Sequence, residues 1–318
     1  MNKIPVIIDC DPGIDDTMML TLAYARPELD IKLITVEAGN LTIDKTTYNT
    51  LSFLTYIQKE VEVAKGIEQP MFRKQEVAED IHGEGGLGNV KWADPVLQAS
   101  DRTAIQAMYD ILMNAEEPIT IVATGPLTNV AALLFAHPEV KPFIKQISWM
   151  GGAAVGGNMS TVAEFNAYVD PHAVELVFRS GVPIIMSGLD VTHKAYITRD
   201  EMTRLRNLGT PFAEKVADMM NFYTFTQSQT PFNPPGFEEQ IRVHDVCAVA
   251  CLVEPELFKG DDYFVEVELN GSLTQGATLV DFAKKTGKEP NVHVLHTVNR
   301  DDFIDLFFNA VTTVGKTL

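Results

Sequence analysis

Four carboxylates lie within eight residues near the start of this chain, in residues 9–16 (Asp-Cys-Asp-Pro-Gly-Ile-Asp-Asp). Charges of one sign at such short spacing repel each other, and a bound cation removes that repulsion. Carboxylate oxygens suit hard cations such as Ca²⁺ and Mg²⁺, and Gly13 permits a tight turn that directs the side chains inward. A solvated acidic turn in which Asp15 or Asp16 caps a helix is the plainer interpretation, but capping needs only one acid. The segment therefore predicts a divalent-cation site.

The first of these acids, Asp9, ends residues 6–9, which are the first of several short apolar runs that predict strands. The others lie at residues 31–36, 119–123, 144–150 and 183–186, and segments of helical period separate them. Apolar strands that are covered on both faces and joined by crossover helices have this pattern. We therefore predict an α/β fold with a doubly wound, mostly parallel central sheet flanked by helices and an embellished helical C-terminal third.

Cap and turn residues predict where the other elements begin and end. Thr128 is expected to cap a helix at residues 129–135, and Asp170 with Pro171 to begin another helix that Gly181 ends. The remaining expected elements are two helices after Thr198, a loop at 230–236, a helix from near Asp245, a half-exposed strand at 263–269 and a closing helix at 303–314. Residues 1–318 are expected to form a single domain.

The composition limits the classes of protein to which the chain can belong. Its 318 residues are 46% hydrophobic and 21% charged, which is typical of a globular protein. A formal net charge of −18 argues against nucleic-acid and anionic-membrane partners, because both attract Lys and Arg. Cys10, Cys247 and Cys251 form no CxxC pair, so neither a disulfide framework nor a thiolate zinc site is expected. The first apolar run is too short for a signal peptide and no segment reaches the length of a membrane span, so we expect a cytoplasmic protein.

Small and amide residues follow the other predicted strands, at the edge where an open α/β sheet binds its ligands. They lie in residues 37–40 (Glu-Ala-Gly-Asn), 123–129 (Ala-Thr-Gly-Pro-Leu-Thr-Asn), 150–152 (Met-Gly-Gly) and 188–193 (Gly-Leu-Asp-Val-Thr-His). Each glycine turn alone is ordinary strand-to-helix punctuation, but together they leave room for a polar ligand. Asp190 and His193 are expected to be structural, and Asp9 is expected to lie behind Asp11.

Taken together, these segments resemble the inosine-uridine preferring nucleoside hydrolase family over nearly the whole chain. The matching segments are residues 9–16, 38–40, 124–129, 150–152, 157–158, 163–166 and 244–245. The resemblance implies an N-glycosidase that hydrolyses small-molecule ribonucleosides to ribose and free base, in purine or pyrimidine nucleoside salvage. It also implies one Ca²⁺ per subunit and assembly into a homodimer or homotetramer.

The resemblance also assigns roles to residues of this chain. The implied metal ligands are Asp11, Asp16, Asp245 and the backbone carbonyl of Thr124, and Asp11 is also the implied base that takes a proton from a calcium-bound water. The implied ribose contacts are Asp15, Asn40 and Asn166 at the 2′- and 3′-hydroxyls and Asn158 and Glu164 at the 5′-hydroxyl. Such carboxylates favour an oxocarbenium-like transition state. The rest of the implied substrate-binding set is His82, Met150, Phe165 and Tyr223.

Protonation of the leaving base is the least determined step, because two histidines compete for it. His244 precedes an implied metal ligand and holds the position that the family uses near the base, which makes it the implied second catalytic residue. His82 lies on a glycine-rich segment that could close over the site, and Tyr223 could share the task. Where the family often has a second tyrosine about four residues after Tyr223, this chain has Thr226 followed by a glutamine. The preference for purine or pyrimidine bases therefore stays open.

Two other functions would use similar residues. A calcium-dependent ribose or nucleoside binding protein would keep the site without turnover, but the presence of Asp11, the implied base, argues for an enzyme. A Mg²⁺ phosphotransferase with an Asp-x-Asp nucleophile after its first strand also needs a downstream Lys and a Ser or Thr. The strand ends of this chain offer amides and carboxylates, and carboxylates repel phosphate. We therefore expect hydrolysis of an N-glycosidic bond.

Overall fold

The structure, a computed structural model, describes residues 3–228 and 240–318. Its strands are β1 Ile4–Cys10, β2 Leu29–Val36, β3 Val63–Lys65, β4 Ile119–Ala123, β5 Ile144–Met150, β6 Ile184–Ser187, β7 Tyr196–Thr198, β8 Gln240–Arg242, β9 Phe258–Tyr263, β10 Val265–Val267, β11 Thr278–Val280 and β12 Val292–Val298. Its α-helices are α1 Ile14–Ala25, α2 Ile43–Tyr56, α3 Glu79–His82, α4 Ala104–Met113, α5 Thr128–Ala136, α6 Phe165–Val169, α7 Pro171–Phe178, α8 Leu189–Thr192, α9 Arg199–Arg206, α10 Pro211–Ser228, α11 Val246–Val253 and α12 Arg300–Lys316.

An eight-stranded sheet in the order β3-β2-β1-β4-β5-β6-β12-β9 forms the centre of the molecule. All neighbouring pairs are parallel except β12 and β9, which are antiparallel. The short strands form two further antiparallel pairs, β7 with β8 and β10 with β11. The predicted α/β fold with a mostly parallel central sheet is therefore confirmed.

The strand order places a crevice at the carboxyl end of β1. The chain runs from β1 to β2 and β3 on one side of the sheet, whereas β4, β5 and β6 follow one another on the other side. The order thus reverses between β1 and β4, and ligands of open α/β sheets bind outside the strand ends at such a switch point. The acidic segment that follows β1 lies at this position.

Two apolar clusters cover the two faces of the sheet. Ile8 belongs to the cluster that packs under α1, α10, α11 and α12, whereas its neighbour Ile7 belongs to the cluster under α4, α5 and α7. Successive residues of a strand point to opposite faces, so both faces of β1 are buried, which explains its continuous apolar sequence. In the described ranges, no helix is both long and apolar enough to cross a membrane.

Most predicted element boundaries agree with the structure, and two expectations were wrong. Helix α7 begins after Asp170, whose side chain accepts a hydrogen bond from the backbone N–H of Ala173 as an N-cap. Thr128, by contrast, is the first residue of α5 and not its cap, and its hydroxyl donates to Asp170 at 2.9 Å. The expected strand at 263–269 is divided, because β9 ends at Tyr263 and β10 leaves the central sheet to pair with β11. The predicted loop at 230–236 lies outside the described residues.

Candidate active site

A cavity of about 430 Å³ opens at the carboxyl ends of the strands, at the switch point of the sheet. Most of the predicted site residues line it. They are Asp15, Asn40, His82, Thr124, Met150, Asn158, Glu164, Phe165, Asn166, Tyr223, His244 and Asp245. Asp11 and Asp16 are fully buried next to this lining. Segments far apart in the sequence thus form one site, as the strand-end argument predicts.

Three carboxylates form the acidic floor of the cavity. One oxygen each of Asp15, Asp16 and Asp245 lies within 4.8 Å of the others, and all three residues are buried. Asp15 and Asp16 are in the first turn of α1, and Asp245 immediately precedes α11. The implied metal ligands share Asp16 and Asp245 with this group but include Asp11 instead of Asp15. Asn40 hydrogen-bonds both Asp11 and Asp16 and so links Asp11 to the group.

Asn40 connects these acids through its backbone and its side chain. Its backbone N–H donates to Asp11 Oδ2 at 2.6 Å, and its side-chain amide donates to Asp16 Oδ2 at 3.0 Å. Asp11 therefore directs one carboxylate oxygen toward the end of β2. Its other oxygen, Oδ1, is buried and has no hydrogen-bond partner among the described residues, and the same is true of Asp15 Oδ1.

The protonation of these acids reflects their crowding. Burial, and then the charges of neighbouring acids, raise the pKa of Asp11 and of Asp245 well above the usual range. Burial raises the pKa of Asp15 to about 6. Buried, unpartnered carboxylate oxygens are costly unless a cation or a proton compensates them, and a set of oxygen donors suits a hard cation. The residues present therefore fit a divalent ion such as Ca²⁺.

Thr124 connects the acidic floor to the next strand ends. Its hydroxyl donates to Asp16 Oδ1 at 2.8 Å, and its carbonyl accepts a hydrogen bond from the side-chain amide of Asn166 at 2.8 Å. The same amide donates to the carbonyl of Met150 at 3.0 Å. The Thr124 carbonyl, an implied metal ligand, thus lies beside the acids at the end of β4.

Glu164 holds the side of the cavity formed by the segment after β5. Its Oε2 accepts hydrogen bonds from the backbone N–H of Gly152 at 2.8 Å and of Ala167 at 3.1 Å. Burial raises the pKa of this carboxyl to about 7. Asn158 lies at the exposed rim, where its Oδ1 accepts a hydrogen bond from the backbone N–H of Phe165 at 2.8 Å. These side chains are therefore fixed on a short, ordered loop.

Aromatic rings form the opposite end of the cavity. The rings of His82 and Tyr223 stack with centroids 5.3 Å apart, and the Tyr223 hydroxyl donates to Asp15 Oδ2 at 3.2 Å. The backbone N–H of Ile14 donates to His82 Nδ1 at 3.1 Å, so Nδ1 is unprotonated and the proton of the neutral ring is on Nε2. Burial lowers the pKa of His82 to about 4, which keeps this ring neutral at physiological pH.

His244 stands between this aromatic end and the acids. Its Nδ1 lies 2.8 Å from the hydroxyl of Thr192, and its ring contacts that of His193 with centroids 5.9 Å apart. Burial, and then the charge of His193, lower the pKa of His244 well below its usual range. His193 itself lines the cavity, although the sequence predicted a structural role for it. Its position in the segment after β6 was the available signal.

Two buried acids lie behind the cavity rather than in it. Asp9 Oδ1 accepts hydrogen bonds from the Thr35 hydroxyl at 2.6 Å and from the Asn129 side chain at 2.9 Å, which agrees with the expected position behind Asp11. Glu37, to which the sequence analysis assigned no role, is fully buried and directly follows β2. The expected structural role of Asp190 agrees with a hydrogen bond to it from the backbone N–H of Ala154 at 2.6 Å.

Comparisons with known proteins agree with this geometry. Residues 6–305 match the family model described as inosine-uridine preferring nucleoside hydrolase. The pyrimidine-specific ribonucleoside hydrolase RihA of Escherichia coli is 43% identical over 304 residues, which cover 95% of this chain and 96% of that relative. A purine-preferring ribonucleoside hydrolase from Gardnerella vaginalis has a similar structure, with a TM-score of 0.91 and 31% identity over 99% of this chain and all of that one. A plant nucleoside hydrolase has a TM-score of 0.90 and 30% identity over 97% of this chain and 99% of that one.

Proposed function

This chain belongs to the inosine-uridine preferring nucleoside hydrolase family, and on that premise we propose how its residues act on the substrate. It is a hydrolase that acts on nucleosides and cleaves the N-glycosidic bond of ribonucleosides, as the named relatives do. Membership of this family favours the enzyme over the alternative of a binding protein without turnover. The proposed elements are the metal ion, the base, the ribose contacts and the group that assists the leaving base.

The proposed metal ion is Ca²⁺, one per subunit, held by Asp11, Asp16, Asp245 and the carbonyl of Thr124. The observation that carries this proposal is the buried group of carboxylates at the switch point, with unpartnered oxygens on Asp11 and Asp15. A bound calcium ion would raise the acidity of a water and would orient the ribose hydroxyls. The all-oxygen donor set supports Ca²⁺ over softer metals.

Asp11 is the proposed base. The backbone N–H of Asn40 holds its Oδ2, so Oδ1 is left to take the proton of the attacking water. A positioned base needs this arrangement, in which one carboxylate oxygen of Asp11 is held by a hydrogen bond and the other is available to the water.

The remaining carboxylates and amides are proposed to hold the sugar. Asp15, Asn40 and Asn166 would bind the 2′- and 3′-hydroxyls, while Asn158 and Glu164 would bind the 5′-hydroxyl. The Tyr223 hydroxyl bond to Asp15 Oδ2 leaves Asp15 Oδ1 for the sugar. Negative charge around the ribose stabilises the positive charge that develops near C1′ in an oxocarbenium-like transition state.

The leaving base is proposed to lie at the aromatic end, among His82, Met150, Phe165, Tyr223 and His244. We assign the stabilisation of the leaving base to His244. If the Thr192 hydroxyl donates to Nδ1, the neutral ring carries its proton on Nε2, and this N–H can donate a hydrogen bond that stabilises the departing base. His82 presents a second Nε2–H, because Ile14 occupies its Nδ1. Either donor could serve a ring nitrogen or a carbonyl oxygen of the base.

A panel of ribonucleosides tests the proposed mechanism. Purified protein would be incubated with inosine, adenosine, uridine and cytidine, with and without prior chelation, and free ribose would be assayed. We expect ribose release that chelation abolishes and Ca²⁺ restores. Full activity after exhaustive chelation, with no metal found by elemental analysis, would contradict the metal site. The panel also measures base preference, for which RihA and the Gardnerella vaginalis enzyme carry opposite names.

The setting of the enzyme is proposed on the same basis. Residues 1–318 would form one nucleoside hydrolase-like domain, since the central sheet takes strands from Ile4–Cys10 to Val292–Val298. We propose a homodimer or homotetramer in cytoplasmic nucleoside salvage, without nucleic-acid or membrane partners. The three cysteines are buried and free, which agrees with a reducing compartment. Light scattering coupled to gel filtration would measure the mass of the assembly.

A further inference from the structure

We propose that Glu37 is a positioning residue for the metal end of the site. Its carboxylate binds two backbone N–H groups at the start of α5 and thereby fixes the turn that presents the Thr124 carbonyl to the cation. The inference deepens the proposed function and rests on its metal site. Glu37 itself touches neither the cavity nor the three-acid group.

Both oxygens of Glu37 are used at the start of α5. Oε1 accepts a hydrogen bond from the backbone N–H of Leu127 at 3.1 Å, and Oε2 accepts one from the backbone N–H of Asn129 at 3.0 Å. N–H groups in the first turn of a helix have no partner within the helix, and a carboxylate there is stabilised by the helix dipole. A glutamate that directly follows strand β2 thus performs the capping that the sequence assigned to Thr128.

The turn that Glu37 holds is one that needs support. Leu127 has a φ of +67°, the left-handed conformation that costs free energy for any residue with a side chain. The two backbone N–H groups that donate to Glu37 belong to this residue and to Asn129, two residues beyond it. Glu37 also packs against Gly125, since a Cβ added to that glycine would lie 2.5 Å from Glu37 Oε1. The carboxylate therefore contacts the residue that directly follows Thr124.

The opposite side of the same turn meets the metal end. The Thr124 carbonyl accepts a hydrogen bond from Asn166, and its hydroxyl donates to Asp16. The indole Nε1 of Trp149 donates to the carbonyl of Gly125 at 3.1 Å, which fixes the next peptide. The Thr124 carbonyl thus lies between contacts to the site and the support from Glu37. A loss of that support would move the start of α5 and, with it, the carbonyl.

Glu37 could instead act only through its charge, because an additional buried carboxylate near Asp11 attracts a cation. The two explanations make different predictions for Glu37→Asp. This variant keeps the charge, but its side chain is one methylene shorter and cannot reach both N–H groups. Glu37→Gln keeps the length, loses the charge and turns an amide NH₂ toward one of the N–H groups. Positioning predicts that both variants are impaired, whereas a charge effect predicts that only Glu37→Gln is.

The test is calorimetric titration of Ca²⁺ into the chelated full-length protein. We expect Glu37→Gln and Glu37→Asp each to bind Ca²⁺ about tenfold more weakly or worse, as changes to groups that orient metal ligands do. In both variants KM for a ribonucleoside should rise when Ca²⁺ is limiting. When Ca²⁺ is saturating, kcat should return to the wild-type value. Hydrogen exchange should be faster in both variants at the Leu127 and Asn129 amides.

Leu133→Ala is the matched control. Leu133 is buried in the middle of the same helix, in the cluster under the sheet, so its truncation lowers the melting temperature without removing a contact of Glu37. It should keep the wild-type Ca²⁺ affinity. Equal weakening in Leu133→Ala and in the Glu37 variants would show a general effect of stability and overturn the inference.

The remaining outcomes separate the inference from the proposed function. If the wild-type protein binds Ca²⁺ and Glu37→Asp binds it with unchanged affinity, the positioning role of Glu37 is overturned but the proposed metal site is not. A wild-type protein that binds no divalent ion would overturn the metal site, and the inference with it. If Glu37→Gln does not fold, Glu37→Asp against Leu133→Ala gives the same comparison.

Discussion

The acidic end of the cavity and its aromatic end are built in different ways. Asp11 and Thr124 follow strands β1 and β4 directly, Asp16 lies in the first turn of α1, and hydrogen bonds with neighbouring strand ends fix all three. The aromatic end takes His82 from α3 and Tyr223 from the long helix α10, and ring stacking holds them together. Strand ends of a parallel sheet thus position the charged end, while packed helices position the aromatic end.

This difference assigns separate tasks to the two ends. The acids and amides face the proposed position of the ribose, which every ribonucleoside shares, so changes there should affect all substrates equally. The aromatic end faces the proposed position of the base, so changes there should alter the ranking of substrates. The predictions below test this division. It would fail if a change at the acidic end altered the ranking of substrates, or if a change at the aromatic end affected all substrates equally.

The largest effect is expected from the substrate. In the proposed site, removal of the 2′-hydroxyl would deprive the cation of one oxygen and would leave polar groups of Asp15 and Asn166 without a partner. We expect kcat/KM for a 2′-deoxynucleoside to fall on the order of 10³-fold or more below that of the ribonucleoside. The ratio is obtained by measuring kcat/KM for inosine and deoxyinosine, and for uridine and deoxyuridine. Similar efficiency within either pair would contradict the proposed ribose contacts, and different ratios for the two pairs would contradict the division of tasks.

The next effect is expected from Asp11→Asn. The amide keeps the hydrogen bond from Asn40 in altered form but cannot take a proton, so kcat should fall by about 10²-fold or more with all bases alike. Asp9→Asn is the matched control, because this buried acid two residues away bonds Thr35 and Asn129 and does not line the cavity. It should lose far less. Metal content must be measured in both variants, and a normal kcat in Asp11→Asn with metal present would move the base to another residue.

The same difference explains what the sequence could predict. Residues 9–16 predicted the acidic end, because carboxylates directly after an apolar strand reach the edge of a parallel sheet whatever the rest of the chain does. The structure brings the further strand-end residues, such as Asn40 and Thr124, to that edge. The fold class followed from the same alternation of apolar runs and helical segments.

The contacts that the sequence did not predict depend on tertiary packing. The hydroxyl of Thr128 suits a cap, but Glu37, which follows another strand, accepts the N–H groups at the start of α5, and no local pattern shows that. The stacking of His82 on Tyr223 joins residues from α3 and α10, which only the packing of those helices brings together. His193 was assigned a structural role, since one histidine after a strand does not reveal that it faces a cavity.

A smaller and selective effect is expected at the aromatic end from His244→Ala. If His244 assists the leaving base, the variant should lose about tenfold or more in kcat on a purine nucleoside, within the range of proton transfer by a side chain. It should lose much less on p-nitrophenyl riboside, whose leaving group needs little protonation. Thr192→Val removes the hydroxyl that contacts Nδ1 and should show the same selectivity more weakly. Equal losses on both substrates would mean that His244 positions Asp245 instead.

The smallest effect is expected in stability, and it has a definite sign. Burial raises the pKa of Glu164 to about 7 and the pKa of Asp9 and Asp15 to about 6. Because these carboxyls have lower pKa values in the unfolded chain, the native state binds more protons between about pH 4 and pH 7. The free energy of unfolding of the metal-free protein should therefore fall as pH rises through that range. Chemical denaturation of chelated protein at several pH values measures it.

Added Ca²⁺ should oppose this fall in stability with rising pH, and it should act through the carboxylates of the acidic end. Because its carboxylate ligands must be deprotonated, Ca²⁺ competes with protons, so its addition should raise the melting temperature more at pH 8 than at pH 5.5. At hundredfold excess over its dissociation constant the stabilisation is about 2.7 kcal/mol. Glu164→Gln is the control, since it removes one titrating carboxyl outside the proposed ligand set. It should weaken the pH dependence of the metal-free protein and keep the response to Ca²⁺. An equal rise in melting temperature at both pH values would mean that the buried acids do not release protons when the ion binds. The acidic end would then lack the coupling between Ca²⁺ binding and proton release that distinguishes it from the neutral histidines at the aromatic end.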